Sequence, residues 1–396
     1  MNRAAASYIY TLEDSATPLV NGFVEYDDDG TIVRTGISGD PSSEATFYEG
    51  AIVPGFVNAH CHVELSHLRG KFRKGTGMAG FIDQINELRD SSSREDKIKC
   101  LAYWMDRLWS QGVSAMADIS NCDDSFAVKA ASPMYTRTFL EVFGTEPEDC
   151  GAVISSVLEL KRKAGEMGID AAPTPHACYT MSPELLTAAS AEALKAGYLS
   201  YHSQESLEEE EMIMHGAGAM YENRRRYGMS TPPVTGRPSL LYFLDRLEKI
   251  HPAPFEEHLL LVHNVCLTRE AAEAAEAVLK NVWWALCPLS NRFIHNAVPP
   301  VRLMREMGLR LTVGTDSLSS NDTLDMVGEL FCLQESFPEI PLGEMLVWAC
   351  RNGAEFLSRD DVMGTIVPGK KPGLVLVDKL DGEGRLTRDS SSERLV

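Results

Sequence analysis

From about residue 50 to residue 320, short continuous apolar runs alternate with segments whose apolar positions recur at helical spacing. The runs lie at 51–57, 114–119, 135–142, 169–176, 197–202, 259–263, 282–287 and 309–316. The first leads directly into His60-Cys61-His62. Helical material separates the runs. Residues 267–279, for example, are rich in alanine and glutamate, with Thr268 placed as an N-cap. Parallel strands buried on both faces read as unbroken apolar runs. Eight strand–helix repeats over roughly 300 residues therefore predict an α/β fold of the (β/α)8 barrel type.

Both ends of the chain carry a different pattern. Residues 7–12, 22–26 and 31–34 read as short strands, and Asp27-Asp28-Asp29-Gly30 is a hairpin turn signal. Near the other end, residues 364–369 lead into Leu374-Val375-Leu376-Val377-Asp378. The two ends are expected to pair in one small β domain. From about Asp381 the sequence is polar and expected to fray.

Composition narrows the class of protein. The chain has 396 residues, 44% hydrophobic and 24% charged, which is an ordinary globular balance. Its formal net charge of -20 argues against nucleic acid or an anionic membrane as partner. The N-terminus lacks the apolar core of a signal peptide, and no apolar run reaches the length of a membrane span. Nine scattered cysteines, with no CxxC pair, read as reduced thiols of a cytoplasmic protein. Cys61, Cys178, Cys266 and Cys287 fall in apolar runs and are read as small buried hydrophobes.

The chemistry is expected at the C-terminal ends of the barrel strands. Those ends carry His60 and His62, His176, His202, His263 and Asp316, so five of the ten histidines stand at strand ends. Residues two apart on a strand share a face, which sets His60 and His62 side by side. A lone His-x-His is a weak signal, and one such histidine is most simply a hydrogen-bonded core residue. Five of them would each need a buried partner, whereas one shared metal ion serves the set. Imidazoles and a carboxylate suit Zn2+, and Fe2+ is served by the same donors. Such an ion lowers the pKa of bound water to about 7. Glu205, three residues after His202, is then the candidate proton shuttle. Glutamates 208–211 are assigned to the solvated face of the next helix.

Together these pieces resemble the amidohydrolase superfamily, in the branch of cytosine, guanine, adenosine-type and chlorotriazine hydrolases. The resemblance rests on Pro54-Gly55-Phe56-Val57-Asn58-Ala59-His60-Cys61-His62, His202-Ser203-Gln204-Glu205, Leu261-Val262-His263-Asn264, Cys287-Pro288-Leu289-Ser290-Asn291 and Gly314-Thr315-Asp316-Ser317. With Gly364-Thr365-Ile366-Val367-Pro368-Gly369 it spans nearly the whole chain. It implies a distorted (β/α)8 TIM barrel (53–361) and a small β-sandwich domain formed by both termini (1–52 plus 362–396). It also implies His60, His62, His202 and Asp316 as metal ligands, Glu205 as shuttle and His263 as the partner of the attacking water, with Asp316 helping to accept its proton. Binuclear relatives carry a carboxylated lysine at the end of strand four. This chain has His176 there, so one divalent ion, Zn2+ before Fe2+, is expected.

The reaction implied is attack of metal-activated hydroxide on a ring carbon with release of ammonia from an adenine-type nucleoside: aminodeoxyfutalosine, adenosine or an S-adenosylhomocysteine-like compound. The loop Cys61-His62-Val63-Glu64-Leu65-Ser66 is similar to that of the aminodeoxyfutalosine deaminases. His176, Glu64, Arg69, Asn291 and Ser317 are the expected substrate contacts, with Ser66 and His67 beside them. Residues 206–240, including Arg224-Arg225-Arg226, form an insertion that can serve as a lid. A guanine or cytosine deaminase and a chlorohydrolase are the alternatives. A silent scaffold of this fold would lack a ligand or the shuttle, and none is missing. A small nucleoside or heterocycle is the expected partner, in a possible homodimer.

Overall fold

The computed structural model describes residues 1–37 and 46–396. Its strands in chain order are β1 (Asn2–Ile9), β2 (Leu19–Tyr26), β3 (Ile32–Ile37), β4 (Thr46–Pro54), β5 (Phe56–Cys61), β6 (Val113–Ser120), β7 (Tyr135–Val142), β8 (Asp170–Pro175), β9 (Tyr198–Ser203), β10 (Phe255–His263), β11 (Leu279–Leu286), β12 (Leu311–Val313), β13 (Leu374–Val377) and β14 (Ser392–Arg394). No helix among the described residues is long and apolar enough to cross a membrane.

Strands β5–β8 and β9–β12 form two four-stranded parallel sheets, which together make a distorted barrel. Backbone bonds close both seams. His202 N donates to His176 O at 3.0 Å between β8 and β9, and Asp316 N donates to His60 O at 3.0 Å between β12 and β5. The barrel's own core is apolar: Phe139, Trp283 and Phe356 pack together inside it. Phe356 comes from the short helix Gly353–Phe356 and stacks on Phe139 at 6.1 Å. That plug fills the interior and leaves polar side chains to the strand ends.

The small domain is built from both termini, on a mixed six-stranded sheet of order β14-β13-β4-β1-β2-β3. The apolar run read as the first barrel strand is divided between the two units. Residues up to Pro54 pair with β1 and β13, and β5 begins at Phe56. Burial on both sides makes the run continuous, so hydrophobicity cannot mark the junction. Gly55 marks it. Its N–H meets the carbonyls of Pro372 and Gly373 at 3.2 Å each, and a Cβ there would lie 1.9 Å from Ser114 Oγ.

The C-terminal segment does not fray. Ser392–Arg394 adds a strand to the sheet, and Leu386 exchanges two backbone bonds with the Gln334 amide. Arg394 lies 3.6 Å over the Trp109 ring and donates to the carbonyls of Trp109 and Val113. A polar segment is held here because its donors find fixed backbone acceptors.

A Gly55→Ala substitution is expected to lower stability by about 1–3 kcal/mol through overpacking. Urea denaturation measures it, and an unchanged midpoint would mean that the two units are not locked together at Gly55.

Candidate metal centre and active site

A β-bulge aims the first two imidazoles. Val57 pairs with Ala115, and both belong to the cluster inside the barrel. Strict alternation would then carry Cys61 inward. The register instead shifts between Asn58 and Cys61, so Cys61 joins the layer between strands and helices. His60 and His62 thereby take the inward positions. Beyond them, Val63 N donates to Asp118 Oδ1 at 2.9 Å, and the buried Lys129 holds Asp118 Oδ2 at 2.6 Å.

The other donors also stand on turned strand ends. Gln204, His263, Asn264 and Asp316 have φ of 46°, 74°, 57° and 56°. Left-handed backbone at non-glycine residues is costly and gathers at functional sites. Here fixed contacts hold it, including Asn264 N to Ser203 O at 2.9 Å and Asn264 Nδ2 to Leu261 O at 2.8 Å.

The donors fit one divalent ion. His60 Nε2 and His62 Nε2 are 3.2 Å apart, and Asp316 Oδ1 lies 3.7 and 3.6 Å from them. Zn–N and Zn–O bonds of about 2.0–2.1 Å place tetrahedral donors about 3.3 Å apart. The His202 ring lies 4.8 Å from that of His60. Three overlapping donor groups occur among the described residues: His60–His62–Asp316, His60–His202–His263 and His62–Glu141–His202. His60 Nδ1, His202 Nδ1 and His263 Nε2 are buried without a hydrogen-bond partner. Among the described residues these donors form a single divalent-metal site, and His60, His62, His202 and Asp316 all border it.

Electrostatics prepare these groups. Burial depresses His60, His62 and His202, takes His263 down to about 4 and His176 to about 3, and so keeps the rings neutral and able to bind metal. The Asp316 carboxyl lies well below the usual carboxylate range: burial pushes it up, but attraction to His62, His263 and His60 when those rings carry protons, with the Ser290 hydrogen bond, outweighs burial. Ser290 Oγ and Ser320 Oγ donate to Asp316 Oδ2 at 2.6 and 2.9 Å, which leaves Oδ1 for the imidazoles. His263 Nδ1 accepts from Asn291 Nδ2 at 3.1 Å, so the neutral ring carries its proton on Nε2, 3.5 Å from Glu205 Oε1. Burial raises Glu205 well above the usual carboxylate range and Glu141 to about 8.

A cavity opens over this centre. His62, His176, His202, Glu205, His263 and Asp316 form its floor. Leu65 and the helix Gly77–Leu88, through Met78, Phe81, Ile82 and Ile85, form an apolar wall. Arg89, Asn121 and Glu141 give it a polar end. His176 stacks on His202 at 4.3 Å, with its Nδ1 2.8 Å from Thr180 Oγ1. Ser317 also lines the cavity.

Other expected contacts lie elsewhere. Arg69 is off the cavity: it is exposed, donates to the Asp322 carbonyl at 2.8 Å and covers Trp104. Glu64 is buried and spends both oxygens on Asn121 N at 3.0 Å each. Asn291 sits behind His263. Ser66 bonds to the Val63 carbonyl and His67 to the Arg89 carbonyl, so both fix their own loop. The insertion folds as the helices Leu207–His215, Gly218–Arg226 and Ser239–Leu247. Arg224 is buried and donates to the Tyr179 carbonyl, whereas Arg225 and Arg226 are exposed. The glutamate run is not a uniformly solvated face. Glu209 is fully buried and accepts from Glu205 N at 2.8 Å and Gln204 N at 3.2 Å. The sequence reading missed Glu141, Glu209, Arg89 and Tyr179. Glu141 had a signal, a carboxylate at a barrel strand end.

A neutral imidazole cluster, one ionised aspartate and a buried glutamate at the C-terminal face of a parallel barrel define a metal-dependent hydrolase. The amidohydrolase family model matches residues 51–392. The chain belongs to the amidohydrolase family. It is 27% identical over 346 residues to an adenosine deaminase of Helicobacter pylori, covering 84% of this chain and 80% of that protein. A 5-methylthioadenosine/S-adenosylhomocysteine deaminase of Moorella thermoacetica is 29% identical over 343 residues, with 82% and 73% covered. Among solved structures, Helicobacter pylori aminofutalosine deaminase in complex with methylthio-coformycin superposes with a TM-score of 0.80 at 24% identity, covering all of both chains. A zinc-bound adenosine deaminase of Xanthomonas campestris gives a TM-score of 0.69 at 22% identity, covering 95% of this chain and 84% of that one.

Metal-free protein titrated with Zn2+ is expected to bind one equivalent. Because the free rings are held below the ordinary histidine value, affinity should stay level from pH 8 to about 6.5, then fall as protons compete. Equilibrium dialysis across pH checks this, and weakening that begins above pH 7.5 would contradict the neutral cluster.

Proposed function

We propose that the protein hydrolyses the exocyclic amine of an adenine-type nucleoside, releasing ammonia. The observation that carries this reading is the pairing of Glu205 Oε1 with His263 Nε2, 3.5 Å apart, on the floor of the cavity over the metal centre. The superposition on a deaminase that holds methylthio-coformycin supports it.

In this reading His60, His62, His202 and Asp316 hold the ion. A divalent ion bound there supplies a water acidified to near neutral pH. With such an ion in place, the Nε2–H of His263 would orient the attacking water toward the ring, and Asp316 would help to take up its proton. Glu205 would carry one proton of the water to the ring nitrogen beside the attacked carbon, and the second, from the added hydroxyl, would pass to the departing amine so that ammonia leaves. Burial raises its carboxyl, which suits it to give as well as take that proton. The Nε2 face of His176 is the candidate contact to the base, and Ser317 stands beside it. The apolar wall from Met78 to Ile85 faces the far end of the substrate and favours an uncharged or aromatic substituent there.

The nine cysteines are all unpaired, which supports a reducing, cytoplasmic location. The net charge of -20 supports the absence of a nucleic-acid partner. A homodimer is the proposed assembly, open to sedimentation analysis.

Ammonia release should be assayed over adenosine, 5-methylthioadenosine, S-adenosylhomocysteine, aminodeoxyfutalosine, guanine and cytosine. At least one adenine nucleoside is expected to turn over, and Glu205→Gln should lower kcat by about 10²–10⁴-fold with metal retained. Turnover of guanine or cytosine alone would move the assignment to another deaminase of this family.

A further inference from the structure

The proton shuttle is held asymmetrically, and the group that holds it is Tyr179. This residue sits in the short turn Cys178–Thr180 that follows β8. Its buried phenol donates to Glu205 Oε2 at 2.7 Å. The other carboxylate oxygen, Oε1, faces His263 Nε2. The Glu205 backbone is fixed as well, since its N–H is bound by Glu209 Oε2 at 2.8 Å. A carboxylate group otherwise turns easily about its last torsion, and its two oxygens are interchangeable. Here one oxygen is committed and the other is free.

We propose that Tyr179 is a positioning residue that makes Oε1 the proton-carrying atom of Glu205; this rests on the reading of Glu205 as the shuttle. Two physical effects follow from the one hydrogen bond. It fixes the plane of the carboxyl, so the proton moves along one path between the water and the ring nitrogen. It also favours the ionised form and opposes the push of burial, which leaves Glu205 able to accept the first proton. The phenol suits that task. Burial and the neighbouring Glu205 and Glu209 charges raise its own pKa well above the usual value, so it remains a donor.

The turn that carries Tyr179 is anchored on two sides. Gly144 N donates to the Thr180 carbonyl at 3.0 Å, and Tyr201 Oη accepts from Cys178 N at 3.0 Å. From the insertion, Arg224 donates to the Tyr179 carbonyl and, at 2.7 Å, to the Ser230 carbonyl. Ser230 is in turn bound through N and Oγ by Glu146, at 2.9 and 2.7 Å. The insertion therefore acts on the floor of the site as a brace: it fixes the residue that orients the shuttle. The Tyr179 ring also meets His176 edge-on at 5.6 Å, so one side chain borders both the shuttle and the candidate base contact.

The test is Tyr179→Phe, which keeps the ring and its packing and removes only the donor. In zinc-loaded protein the carboxyl carbon of Glu205, followed by 13C NMR, should titrate at higher pH than in the wild type. With an accepted nucleoside, kcat should fall about 10–100-fold, the loss of one hydrogen bond to a charged group. KM and zinc content should stay unchanged. In a Glu205→Gln background the same substitution should add no further loss, because the two residues act as one unit. An unmoved Glu205 titration, or a Tyr179→Phe penalty that persists in full without Glu205, overturns the positioning role. Full turnover by Glu205→Gln alone would remove the shuttle and the proposal with it, whereas wild-type kcat in Tyr179→Phe beside an inactive Glu205→Gln would overturn the proposal alone.

Discussion

His60 and His62 present two Nε2 atoms 3.2 Å apart in a buried site, with an ionised carboxylate oxygen within 3.7 Å of both. With both nitrogens deprotonated to bind an ion, the two rings turn lone pairs toward one another. Further buried nitrogens on His60, His202 and His263 lack protein partners. Polar groups removed from water must be satisfied. One divalent cation satisfies the facing Nε2 atoms of His60 and His62 and Oδ1 of Asp316, because it is the common partner that the protein does not itself provide. The surrounding structure follows from holding these donors at that spacing.

Several devices do that holding. The bulge in β5 turns both histidines inward at the cost of ordinary alternation. Positive φ at Gln204, His263, Asn264 and Asp316 turns the strand ends, and backbone bonds across the barrel seams stabilise the turned segments. Two serines commit one oxygen of Asp316, as Tyr179 commits one oxygen of Glu205. Each carboxylate thus keeps a single oxygen for the centre. The Phe139–Trp283–Phe356 plug fills the barrel interior beneath the floor. Charges near the site are spent in the same manner: Glu209 on the backbone before its helix, Glu64 on Asn121, and Lys129 on Asp118.

Much of this was legible in the sequence, for a physical reason. Barrel strands buried on both faces give unbroken apolar runs, and a metal site needs side chains of few types at the ends of those runs. His60, His62, His202, His263 and Asp316 could therefore be read in barrel order. Features that depend on backbone geometry were not legible. Nothing in Asn58-Ala59-His60-Cys61 marks a bulge, and the junction at Gly55 lies within one apolar run. Burial decides between identical residues too: Glu209 is interior and Glu211 is exposed in one run of four glutamates. Arg69 looked like a contact because of its place in the loop after His62, but its guanidinium found Asp322 and Trp104 outside the cavity. Glu141 stands near the end of β7, and a lone carboxylate there has no neighbouring ligand motif in the sequence to mark it.

The central claim is that four side chains from β5, β9 and the turn after β12 converge on one ion. X-ray absorption at the zinc edge of protein loaded with one equivalent tests it most directly. The account expects four to five nitrogen and oxygen neighbours at about 2.0–2.1 Å, with the outer-shell pattern of three imidazoles. A sulfur neighbour at about 2.3 Å, or a pattern with one imidazole or none, would contradict it.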